Sequence, residues 1–93
     1  MIGNHDLTIG QVVRSKAGKD KGQFFVVGIA LDADHVEIYD GNKRKLQNPK
    51  KKRVKHLAKT QTVIPQMESI LKDPDQRYNA MIRQTLKPFK EKV

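Results

Sequence analysis

Two glycines, Gly18 and Gly22, stand four apart in the stretch VVRSKAGKDKGQFFVV, and the residues around them suit contact with phosphate. Glycine reaches backbone angles closed to other residues and leaves no side chain above the amides, so an anionic oxygen can approach closely. Lys16, Lys19 and Lys21 would supply cations, with Arg14 and Ser15 at the end of the preceding apolar run. Asp20 sits oddly beside a polyanion and is expected to act structurally, accepting from loop amides to fix the turn. Taken alone, this loop is also what a plain turn with solvated lysines looks like.

A second cationic group lies downstream. Of 19 Lys and Arg residues, nine fall between Gly41 and Lys59 (Lys43, Arg44, Lys45, Lys50, Lys51, Lys52, Arg53, Lys55 and Lys59), a segment with no acid. The net charge of +9 therefore resides in about one fifth of the chain, whereas a merely solubilising surface intersperses both signs. Placed charge of this kind points to a polyanion. If Pro49 imposes an extended backbone on Lys50 to Arg53, successive cations project to both sides and can straddle a phosphate backbone. His35, Tyr39 and His56 could stack or hydrogen-bond at the edge of such a patch, although a packed or solvated side chain is the expected state of each. Aromatic platforms for reading bases are scarce, with two tyrosines and three phenylalanines, so backbone and shape recognition is expected.

Catalytic readings fit poorly, and neither enzyme activity nor a cofactor is expected. A nucleotide-binding Walker loop needs four residues between its glycines and then Gly-Lys-Ser/Thr; here three intervene and Gln23 follows. His5, His35 and His56 are far apart in sequence, and Asp32, Asp34 and Asp40 lack calcium-loop spacing, so no metal site is expected. Ser15 and Ser69 have no His and acid pattern beside them. There is no cysteine, no signal-peptide pattern and no apolar run of membrane-spanning length, which suggests a soluble, cytoplasmic protein with no membrane partner.

Short strands joined by turns are expected to position these residues. Ile9 to Arg14 and Gln23 to Leu31 have the β-branched and aromatic content of strands, the second buried on both faces with Gly28 marking a bend or bulge. Phe25, Val27, Ile29 and Leu31 would share one face. His35 to Tyr39 alternates as a half-buried strand. Asp40-Gly41 signals a hairpin returning through Lys43 to Leu46, and a last strand is expected at Arg53 to Ala58. From Thr62 the pattern turns helical: Pro65 opens Gln66 to Lys72, and Asp73-Pro74 reads as an N-cap with proline at the first helical position. Tyr78, Met81, Ile82, Leu86 and Phe89 form an apolar stripe, with Arg83, Lys87 and Lys90 on another face.

The run from Gly10 to Gly22 resembles the KOW motif: a strand, a loop with glycine before Lys-Asp-x-Gly, and a second hydrophobic strand. Asp40-Gly41-x-x-Arg44-Lys45, Asn48-Pro49-Lys50-Lys51-Lys52 and His56-Leu57 are similar to the corresponding run in the archaeal and eukaryotic large-subunit ribosomal protein L-fourteen-e type and in short bacterial KOW proteins. The resemblance covers Leu7 to Thr60. It implies a mainly β fold, a small SH3-like antiparallel barrel over residues 1–60 containing the basic segment 41–59; the C-terminal α-helical extension over 61–93 lies outside the resemblance and is expected from the helical pattern alone. The resemblance also implies non-catalytic RNA binding, with structured ribosomal RNA as the expected partner and ribosomal proteins as neighbours. A KOW-type protein-interaction module of a transcription or translation factor is the alternative.

Overall fold

The structure, a computed structural model, describes residues 6–91; His5 lies outside them. Five strands, β1 (Gln11–Ser15), β2 (Phe24–Ala30), β3 (His35–Tyr39), β4 (Lys50–Arg53) and β5 (Leu57–Val63), precede two helices, α1 (Met67–Lys72) and α2 (Tyr78–Glu91). The strands form one antiparallel sheet in the order β4-β3-β2-β1-β5. A single 3-10 turn, Val54–His56, carries the chain from β4 to β5, the two outer strands. Three residues of such a turn rise about 6 Å, whereas five flat strands would set the outer pair about 19 Å apart. The sheet must therefore curl until its edges approach. No pairing joins β4 to β5, so it is curled but open rather than a closed barrel.

β2 is the central strand and its two faces feed two cores. Phe24 and Val26 join Val12, Tyr39, Leu46, Ile64, Met67, Ile70, Ile82 and Leu86 beneath the helices, while Phe25 and Val27 join Val13, Val36, Ile38 and Leu57 inside the curl. The bulge expected at Gly28 is present as a register shift between Val27 and Ala30. Because one extra residue reverses strand alternation, Ala30 takes the Phe25 side and Ile29 turns outward, as does Leu31 beyond the strand, against the expectation that both would share the Phe25 face. The space at Gly28 is filled by the Tyr39 ring, which any Cβ there would overlap.

Several boundaries differ from the expected ones. Lys43 to Leu46 is not a strand: Asp40 Oδ1 accepts from the amides of Asn42 and Arg44, each at 2.8 Å, closing a tight turn within a longer loop. Leu46 leaves the sheet to enter the core below the helices. The strand expected at Arg53 to Ala58 is instead divided by the 3-10 turn, and β5 continues to Val63. Asp73 caps the C-terminus of α1, its N–H donating to Ile70 O, rather than starting the next helix. α2 begins at Tyr78 and runs through Pro88 to Glu91. Its expected apolar stripe is in place, with Ile82 and Leu86 fully buried and Met81 and Phe89 packed beside them, although Tyr78 is exposed.

Candidate functional site

The β1–β2 loop is built on backbone pairing at its base, where Ser15 N–H donates to Gln23 O and Gly22 N–H to Ser15 O, at 2.9 and 2.8 Å. Gly18 has φ of +86°, the left-handed conformation its type permits. The turn is fixed by side chains rather than by the loop amides expected to bind Asp20. Asp20, 7% exposed, accepts from Ser15 Oγ at 2.6 Å and Lys52 Nζ at 2.8 Å on one oxygen and from Lys50 Nζ at 2.7 Å on the other. Lys52 Nζ also donates to Ala17 O at 2.9 Å. Burial alone would raise the Asp20 carboxyl, but the hydrogen bonds from Lys50, Lys52 and Ser15 outweigh it and hold it well below the ordinary carboxylate range.

These contacts revise the expected site. In β4, Lys50 and Lys52 lie opposite Ile38 and Val36, so their side chains face the interior of the curl and close the gap between the edge strand and the loop. Inward-pointing charges on an edge strand also discourage pairing with another chain. Lys52 (8% exposed) and Ser15 (0%) are therefore internal groups, and Lys50 is partly committed to Asp20. Only Lys51 and Arg53 face outward, opposite Glu37 and His35, so the cationic run of β4 does not offer four free charges in series.

The exposed cations gather at both ends of the loop. At one end Lys16 N–H donates to His56 O at 2.7 Å, fastening the loop to the 3-10 turn. There the His56 imidazole is pushed below its usual value by desolvation first and then by the charges of Lys55, Lys52, Arg53 and Lys16. At the other end the loop meets the Asp40–Lys45 turn across a cleft of about 230 Å³, with Lys19, Lys43, Arg44 and Lys50 on its walls beside Asp20 and Asp40. Lys21 and Lys45 are also exposed. Arg14 is exposed but pairs across from Phe24, on the helix-bearing face. Lys59 is paired with Asp6 at 2.5 Å.

The Asp20 cluster was not foreseen from sequence; its trace was a lone acid in a lysine loop and the i, i+2 repeat of Lys50 and Lys52. Among the described residues, no group of three or more His, Cys, Asp or Glu side chains is arranged to hold a metal ion, and no helix is long and apolar enough to cross a membrane. No protein-family model matches the chain, and comparison with curated proteins gives no match.

Proposed function

We propose that the protein is a non-catalytic RNA-binding module of SH3-like, KOW type, acting in the cytoplasm on structured RNA, with ribosomal RNA or ribosomal particles as its target. The observation that carries this reading is the convergence of two sequence-distant cationic segments. The glycine loop and the 41–55 segment meet through Asp20, and their uncommitted cations gather at the two ends of that loop, Lys16, Arg53 and Lys55 about His56 and Lys19, Lys43 and Arg44 about the cleft. The direct passage from β4 to β5 through one 3-10 turn supports the SH3-like assignment. Phosphate contact positions the module; Phe24 and Phe25 are occupied in packing, so base stacking contributes little.

Reversing exposed charges tests this without touching the Asp20 cluster. Lys19→Glu, Lys43→Glu and Lys51→Glu together should abolish binding to purified large-subunit ribosomal RNA while leaving circular dichroism unchanged. Undiminished affinity in the triple variant would sink the RNA reading and favour the protein-interaction alternative.

A further inference from the structure

We infer that α2 is itself a phosphate-contacting element, and that Arg83, Lys87 and Lys90 form a second cationic groove taking a further stretch of the same RNA. This rests on the RNA-binding reading above. The opposite face of α2 is committed to the core through Ile82, Leu86 and Phe89, so the three cations, spaced i, i+4 and i+7, present outward. They line a groove of about 260 Å³ together with Asn42, Ala80 and Gln84. No carboxylate lines it, unlike the cleft on the other side of the turn. Glu91 stands one turn beyond Lys87 and makes no ion pair with it. Among the described residues Lys87 and Lys90 have no anionic partner within ion-pair distance.

The groove is rigidly coupled to the first site. Arg83 Nη1 donates to Gly41 O at 2.5 Å, and Gly41, with φ of +78°, packs so tightly on Asn79 O and Arg83 that a Cβ would collide. Asn79 is buried, its Oδ1 accepting from Leu46 N–H and its Nδ2 donating to Gln47 Oε1, both at 2.9 Å. The Asp40–Lys45 turn is thus clamped to the helix from both its ends. Asn42 looks into the helix groove while Lys43 and Arg44 look into the loop cleft, so a single tight turn separates the two cationic surfaces. A polynucleotide neutralised on one side of this ridge reaches the other without any rearrangement of the protein. A membrane surface suits the helix less well, because its apolar face is already used.

Lys87→Gln with Lys90→Gln tests the inference at exposed positions that carry no structural contact; Arg83 is left intact because it holds Gly41. Binding of a labelled RNA stem-loop would be titrated across a range of salt for the full chain, this double variant and the Lys19→Glu/Lys43→Glu variant. Losing two phosphate contacts should make the salt slope shallower by about 2, so that the wild-type advantage grows roughly tenfold between 200 and 50 mM salt. An unchanged slope in Lys87→Gln/Lys90→Gln, with weakened binding in Lys19→Glu/Lys43→Glu, overturns the helix groove and leaves the loop site standing. The helix groove is equally overturned if, with poly-glutamate titrated in parallel as an acidic polypeptide probe, the double variant loses affinity for that probe and keeps wild-type RNA binding. Absence of salt-sensitive RNA binding in the wild type would reject both readings.

Discussion

Asp20 is the residue on which the loop depends. Of two lysines that sequence alone assigns to a ligand, it makes Lys52 an internal strut and partly commits Lys50, and its removal would leave Lys52 charged, buried and supported only by Ala17 O. Breaking a buried pair in this way costs about 3 kcal/mol or more, so Asp20→Asn should lower the denaturation midpoint well beyond the effect of an exposed substitution. The sign of the pH effect follows from the depressed native carboxyl. Above its ordinary value of 3.8 both folded and unfolded chains hold Asp20 ionised and its contribution is complete. Below that value the unfolded chain takes up the proton first, and stability is lost progressively as pH falls through the native value. Chemical denaturation repeated at falling pH should show a shallower loss in Asp20→Asn than in wild type within this acid range. Equal slopes would show that the fold does not depress the Asp20 carboxyl below its ordinary value.

At the scale of elements, strands with β-branched or aromatic runs were legible: β2 and β3 lie almost where pattern placed them, and Gly28 marked the bulge. The bulge's consequence, the outward turn of Ile29, was not, because alternation counted along the strand takes no account of an inserted residue. Lys43 to Leu46 misled because Asp40-Gly41 signals a two-residue hairpin, whereas Asp40 instead caps a longer loop whose Leu46 is drawn into the helix core. Asp73-Pro74 has the chemistry of a helix start, yet Asp73 serves as the end cap of α1. The helices are part of the core rather than an appendage on it, since α1 and α2 share buried side chains with β1, β2 and β3. Ile82→Ala, which opens a cavity at a fully buried site, should cost about 2–5 kcal/mol by denaturant titration. A cost below about 1 kcal/mol would mean that α2 packs only loosely on the sheet. Removing everything after Thr60 would strip this core as well as the helix cations, so point variants on the exposed face separate the two roles.

At the scale of the molecule, the concentration of charge between Gly41 and Lys59 was plain in the sequence, but its distribution in space was not. Sequence cannot show that Lys50 and Lys52 turn inward, that Lys59 meets Asp6, or that Arg83, Lys87 and Lys90, more than sixty positions beyond the glycine loop, flank the turn that borders it. Each of these depends on long-range packing, and together they move the candidate surface from a linear strip to a belt running from the 3-10 turn across the loop and the Asp40–Lys45 turn. The most direct test of that belt is the salt dependence of RNA affinity in the unmodified protein. Neutralisation of about five phosphates gives a log–log slope near −4. A slope near zero, or affinity unaffected by added salt, would contradict phosphate recognition.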